Sequence, residues 1–219
     1  MSQFAFPFDV DPYNPSEFIQ SNSNREAYNA VNNWPQSIWG VAPYPNALII
    51  RGPESSGKTF LAKQWSIKTD AFFIELKSDL TEDILLRNKA FVIDGVDADI
   101  DEEKILHNFN AIHEHNKYLL ITTNKIPEIR LPDLSSRMHA LNIIDIDFPD
   151  DALIRILIFK LFSNYSIIIN KEIINYLVKI MPRTFPEIID SIYKINEYAL
   201  RSKSKITIPL IKIVLNRPI

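Results

Sequence analysis

Apolar residues follow two rhythms along this chain. As far as Phe148, short apolar runs alternate with segments of helical period. The runs at 47–51, 71–76, 90–94, 118–123 and 142–146 are rich in β-branched and aromatic side chains, which predicts five buried strands. Between them, Ser23 or Asn24 is placed to cap a helix running to about Asn33, which Pro35 ends. A helix over 58–68 carries Phe60, Leu61 and Trp65 on one side, and a short one covers 81–86. Residues 102–115 place Ile105, Leu106, Phe109 and Ile112 at helical spacing. After Pro149 the strand signals cease, and helices are predicted over 150–162, 170–181, 186–202 and 208–215. Strands alternating with helices give an α/β fold with a parallel sheet covered on both faces. The change of period near Phe148 divides the chain into an α/β domain over 16–148 and a helical lid over 149–219.

Residues 1–15 fit neither rhythm. Pro7, Pro12 and Pro15 forbid a helix, so an extended tail is expected, with Phe4, Phe6 and Phe8 on one side of it. Two readings stay open: the rings pack back on their own domain, or the tail is a docking peptide for a partner's groove.

The first predicted strand runs into Gly52-Pro53-Glu54-Ser55-Ser56-Gly57-Lys58-Thr59, which has the form G-x-x-x-x-G-K-T, and then into a helix. The glycines let the backbone curl so that its N–H groups face phosphate oxygens. Lys58 supplies a compact charge for the β- and γ-phosphates, Thr59 a hydroxyl for Mg²⁺, and the helix its positive end. The chain has only four glycines, and two of them are spent here. The loop, with ADP or ATP and Mg²⁺ as its ligands, is the strongest chemical signal in the sequence.

Asp94 closes the 90–94 run and is the second expected Mg²⁺ group. A second acid, which would polarise the attacking water, is expected next to it, but Gly95 stands there and cannot act as a base. Asp97 is two residues further on and free to point elsewhere. Nucleotide binding with weak intrinsic hydrolysis follows. Asn124, after Thr122-Thr123, suits either a turn or a place beside the γ-phosphate. Arg137, in Ser135-Ser136-Arg137 after a proline-bounded loop, is either a surface arginine or a finger for a neighbour's nucleotide. Arg183 is either a helix-end partner or a lid contact to phosphate. His107, His113, His115 and His139 do not form a metal set, since residues two apart face different sides of a helix.

Composition narrows the class. A net charge of −3 argues against a dedicated duplex-DNA binder, and the absence of cysteine excludes disulfides, thiolate zinc sites and a cysteine nucleophile. No apolar run reaches membrane-spanning length and the N-terminus lacks a basic signal region, so a cytoplasmic protein without a membrane partner is expected.

Taken in order, Ser23-Asn24-Arg25-x-Ala27-Tyr28, His107-x-Phe109-Asn110-Ala111, Leu120-Ile121-Thr122-Thr123-Asn124-Lys125-x-Pro127 and Ser136-Arg137 resemble the AAA+ ATPase domain of the bacterial initiator DnaA, from Phe18 to about Leu215. Gln3-Phe4-Ala5-Phe6-Pro7-Phe8 resembles the sliding-clamp-binding peptide of the DnaA-related Hda regulators, with phenylalanines where that family usually has leucines. The stretch between Leu76 and Ala90 is too short for the extra helices by which initiators engage DNA. No helix-turn-helix domain is expected after the lid.

The resemblance implies a P-loop AAA+ fold, a five-stranded parallel sheet with a C-terminal helical lid. It also implies an activity exerted on another protein: hydrolysis of DnaA-bound ATP, stimulated with Arg137 as the finger. Gln3, Phe4, Phe6 and Phe8 would anchor the DNA polymerase sliding clamp. Gly52, Pro53, Glu54, Ser55, Ser56, Gly57, Lys58, Thr59, Asp94, Asn124 and Arg183 would form the protein's own nucleotide site, although the lid arginine of DnaA aligns with Pro186 rather than Arg183. DnaA and the clamp are then the partners, sequence-specific duplex DNA is not, and a homodimer is compatible. Two other functions fit the same loop: an ATPase that loads or remodels a helicase or other replication complex, and a nucleotide-locked adaptor without catalytic effect.

Overall fold

The computed structural model describes residues 18–37, 39–97 and 100–216. Five strands form one sheet, β1 (Ala47–Arg51), β2 (Phe72–Phe73), β3 (Ala90–Ile93), β4 (Tyr118–Thr123) and β5 (Asn142–Asp145). Their spatial order is β2-β3-β4-β1-β5, and every pairing is parallel. Helices α1 (Arg25–Asn32), α2 (Lys58–Thr69), α3 (Glu82–Arg87), α4 (Glu102–Glu114) and α5 (Pro132–Ala140) supply the crossovers and covers.

The alternation of side chains along each strand splits the apolar residues between two cores. Ile49, Phe91, Ile93, Leu119 and Ile121 point to one face and are buried with Ile105, Phe109 and Ile112 of α4 and Leu134 and Met138 of α5. Leu48, Ile50, Val92 and Leu120 point to the other, against α1 and α2. Trp39 stacks on Trp65 there, 4.7 Å between ring centroids, and Trp34 meets Trp65 edge-on at 6.1 Å. Full burial of each large side chain stabilises the fold by roughly 1.5–3 kcal/mol.

After β5 the elements are helical: α6 (Asp151–Asn164), α7 (Lys171–Ile180), α8 (Phe185–Ser202) and α9 (Ile208–Val214). They enclose their own core around Ile158, Phe162, Leu177, Ile188, Ile192 and Ile211. Three of these helices begin at a side chain that satisfies an otherwise unpaired N–H: Asp150 accepts from Leu153 N, Asn170 from Ile173 N and Thr207 from Leu210 N. Among the described residues no helix is long and apolar enough to cross a membrane.

Two elements differ from the sequence expectation. The run at 71–76 yields only the two-residue edge strand β2, since β3 is its single neighbour in the sheet. Arg137 lies within α5 rather than just after a loop; Pro132 at the first turn of that helix is the start signal.

Candidate functional site

The parallel register sets β1, β3 and β4 side by side, so the chain leaves all three at one edge of the sheet. Arg51 ends β1 opposite Thr123 of β4, and Ile93 of β3 lies opposite Ile121. The Gly52 N–H donates to Thr123 O at 3.2 Å, and the N–H groups of Gly95 and Val96 donate to Thr122 O at 3.1 and 2.9 Å. The phosphate-binding loop and the turn after β3 are thereby tied to the same strand.

Both loop glycines are required by their surroundings. A Cβ on Gly52 would lie 2.8 Å from the Cβ and carbonyl oxygen of Ile146. Gly57 has φ +95°, and a Cβ there would come within 2.8 Å of the Phe18 ring. The loop then enters α2 at Lys58, which orients the helix start toward the loop.

The buried Lys58 ammonium donates to Gly52 O at 2.9 Å, Pro53 O at 2.8 Å and Asn124 Oδ1 at 2.8 Å. Burial lowers its pKa from the ordinary lysine value, against the opposing pull of Asp97, Asp94 and Glu54. Thr59 Oγ1 donates to Asp94 Oδ2 at 2.9 Å, and Thr122 Oγ1 donates to Asp94 Oδ1 at 2.5 Å. The two groups expected to hold Mg²⁺ are therefore in direct contact, and their oxygen donors suit a hard divalent cation. Ser56 Oγ is buried without a hydrogen-bond partner inside the loop. An orphaned hydroxyl beside two required glycines and a buried lysine fits a phosphate-binding role. Gly95 has φ +78° and nothing within 4 Å of where its Cβ would be, so the place of a second acid is open space.

Asp97 turns toward the site rather than away. Its carboxylate accepts the Asn124 backbone N–H and, at 2.8 Å, Asn124 Nδ2. Asn124 is the residue that joins the turn after β3 to Lys58.

A cavity of about 250 Å³ lies beside the loop, between Phe18, Ile19, Gly57 and Phe60 on one side and Leu153, Leu157, Leu161 and Phe185 on the other. Its walls are mostly apolar, as suits a flat heteroaromatic base. Asn24 organises it: instead of capping α1, its side chain accepts from Ser21 N and donates to Ile19 O, both at 2.9 Å. Phe18 is further held between Tyr28 and Phe60, at 5.5 and 5.4 Å. The apolar wall escaped the sequence reading because its residues come from separate segments and each reads as ordinary core.

Arg137 lies apart from this site. It donates to Tyr44 Oη at 3.2 Å, pairs with Asp133 at 3.3 Å and stands 5.9 Å from the Phe109 ring centre. Its Nε is buried without a partner. Glu102 accepts the N–H groups of Arg130 and Leu131 and so fixes the start of α5. Arg183 is exposed and bonds Asp151 at the start of α6, a contact among the C-terminal helices. The Gln3, Phe4, Phe6 and Phe8 expectation lies outside the described residues.

Comparison with known proteins agrees with this geometry. Residues 161–215 match the family of the Hda lid domain. DnaA, the chromosomal replication initiator protein of Wolinella succinogenes, is 29% identical over 98% of this chain and 53% of its own length. The chain spans about half the length of the curated relatives it matches. Domain III of Thermotoga maritima DnaA superposes with a TM-score of 0.71 at 17% identity, over 94% of this chain and 96% of that one. The RuvB Holliday junction branch migration motor of the same organism follows at TM-score 0.62 and 14% identity, over 90% and 69%. Sheet order, loop and helical C-terminal portion define an AAA+ module of the P-loop class. Within that class the chain is similar to DnaA over nearly its whole length, and its C-terminal helices match the Hda lid domain.

Proposed function

We propose that this protein binds an adenine nucleotide with Mg²⁺ and acts on DnaA, raising hydrolysis of the ATP that DnaA holds while the N-terminal segment is docked on the sliding clamp. The observation that carries the reading is the joining of an Hda-type lid to a P-loop body whose second acid is replaced by Gly95. Gly52 to Thr59, with Asp94 and Asn124, would hold the nucleotide's phosphates and its Mg²⁺. The cavity under Phe18 would hold the base. The bound ion supplies charge neutralisation at the phosphates. Without an acid at position 95 the protein's own nucleotide serves mainly as a structural ligand, stabilising the folded state by mass action.

Arg137 would act in trans. A guanidinium brought to the γ-phosphate of another subunit stabilises the charge that develops as water attacks and ADP leaves, and raises rates by about 10³–10⁵. Its present partners are compatible with release: the bonds to Tyr44 and Asp133 are long, 3.2 and 3.3 Å, and Nε is unpaired. A cytoplasmic location suits both partners.

The test is turnover of labelled ATP on DnaA, with and without clamp-loaded DNA and this protein. Stimulation should need all components, fall with Arg137→Ala and fall when Gln3, Phe6 and Phe8 are replaced by alanine. Unchanged stimulation by Arg137→Ala would refute the finger. Strong turnover by the isolated protein would favour a loader or remodeller instead.

A further inference from the structure

We propose that residues 1–17 dock in cis in an apolar groove among the C-terminal helices, seating Phe4, Phe6 and Phe8 there and keeping those rings from any other partner. The docking stands on the groove and the segment alone; its bearing on the sliding clamp rests on the function proposed above.

The groove lies where α8 ends and the loop after α6 leads into α7. It has a volume of about 690 Å³, and its apolar wall is made by Ile167, Ile168, Ile169, Leu200 and Ile206. Ile168 is fully exposed and Leu200 is 67% exposed. Large apolar side chains left in water side by side mark an interaction surface. Lys203 and Lys205 also line the groove, and no acidic residue does.

Position selects the occupant. Phe18, the first described residue, lines the cavity beside the phosphate loop, together with Asn164 at the end of α6 and Ile189 of α8. Ile167, just past Asn164, already belongs to the groove. So does Asn196, two turns along α8 from Ile189 and thus about 10 Å away. Phe185, Ile189, Asn196, Leu200 and Lys203 recur at helical spacing, so both hollows lie on one side of α8. The chain therefore enters the described structure beside the groove. At about 3.3 Å per residue, Phe8 can lie up to roughly 33 Å from Phe18, and the groove is reached with slack.

The chemistry of the two matches. In the extended backbone that Pro7, Pro12 and Pro15 favour, Phe4, Phe6 and Phe8 share one side and suit the apolar wall. The segment carries Asp9, Asp11 and Glu17 and no lysine or arginine, against Lys203 and Lys205 in the groove. A short tether also gives the segment an effective concentration of about millimolar scale, which a peptide from solution lacks. Rings seated in the groove are not available to the clamp, so the apparent clamp affinity is reduced to the undocked fraction.

The chain has no cysteine, so an engineered disulfide reports the docking without background. Ala5→Cys, between the phenylalanines, is combined in the full chain with Ser204→Cys in the groove. The control combines it with Glu114→Cys, exposed on α4, which packs on the sheet face opposite α1 and α2. Under mild oxidation the first pair should close within one chain at about ten times the rate of the control or faster. Replacing Phe4, Phe6 and Phe8 by alanine, or Lys203 and Lys205 by glutamate, should bring that rate down to the control. Equal rates overturn the docking, as does a rate that the phenylalanine replacements leave unmoved. A disulfide that forms only between two chains overturns docking in cis and assigns the groove to a second copy's segment. In a clamp-binding assay the closed disulfide should abolish binding and reductant restore it, while Ile168→Ser should raise the apparent affinity by about threefold or more. Unchanged affinity in Ile168→Ser overturns the withholding of the rings. If the reduced protein does not bind the clamp at all, the clamp reading fails, and the disulfide rates still decide the docking.

Discussion

The Phe18 ring lies where a side chain on Gly57 would have to be: a Cβ on that glycine would sit 2.8 Å from Phe18 Cε2. The phosphate loop and the apolar cavity beside it thus meet at this contact. Gly57→Ala must either push Phe18 from between Tyr28 and Phe60 or shift the loop, and it also adds strain at φ +95°. A destabilisation of about 1–3 kcal/mol is expected from the backbone alone. Nucleotide binding should be lost as well. Melting curves and labelled-ADP titration check both.

Phe18→Ala tests the cavity from the other side. It removes one aromatic wall and leaves the loop backbone in place. ADP affinity should fall by about tenfold, in line with roughly 0.5–1.5 kcal/mol for an aromatic contact beyond its buried area. Binding of inorganic pyrophosphate, which has no base, should hardly change. An equal loss for both ligands would show that Phe18 shapes the loop rather than holding the base.

Gly95→Asp restores an acid in open space at φ +78°, a conformation that Asp tolerates better than most residues. The variant should fold with a cost of about 1 kcal/mol. Single-turnover ATP hydrolysis by the isolated protein should rise at least tenfold, toward the roughly 10²–10⁴ of a positioned base. No increase would place the attacking water elsewhere.

Tyr44→Phe removes the hydroxyl that holds Arg137 at 3.2 Å and leaves the ring on Phe109, 5.0 Å between centroids. Stability should change by under about 1 kcal/mol. With only Asp133 left to hold the guanidinium, stimulation of DnaA-bound ATP turnover should be equal to wild type or higher. A drop to the Arg137→Ala level would mean that the Tyr44 contact belongs to the active arrangement.

The paired ends of β1 and β5 give a pH test. The hydrogen bond from Arg51, at 2.6 Å, holds the Asp145 carboxyl below its ordinary pKa of 3.8. A lowered acid pKa stabilises the fold fully above the unfolded value, and that stability is lost as pH falls through the folded one. Because both side chains are partly exposed, the contribution is below about 1 kcal/mol. The melting temperatures of wild type and Asp145→Asn should differ modestly at pH 7 and converge below pH 3.8. A gap that persists in acid would point to packing rather than charge.

Most of the sheet was legible because its strands are continuous apolar runs between turn signals, as at Leu48-Ile49-Ile50 and Phe91-Val92-Ile93. Helix α5 was hidden by its polar Ser135-Ser136 stretch, although Pro132 marked its start. Of the site, the loop and Asp94 were readable from spacing, and the structure brings Lys58, Thr59, Asp94 and Asn124 together. Asp97 could not be aimed from sequence, since its direction depends on a turn whose N–H groups bond to β4. Nor could spacing reveal that Arg137 rests on Tyr44 and Phe109, contacts between distant parts of the chain.

All three tryptophans of the chain lie in one cluster, and Trp65 belongs to the helix that begins at Lys58. Intrinsic fluorescence is therefore a reporter with a fixed address. It follows the nucleotide-side core and is blind to α6 through α9. A melt in which circular dichroism falls before the tryptophan emission shifts would reveal lid helices unfolding ahead of the body.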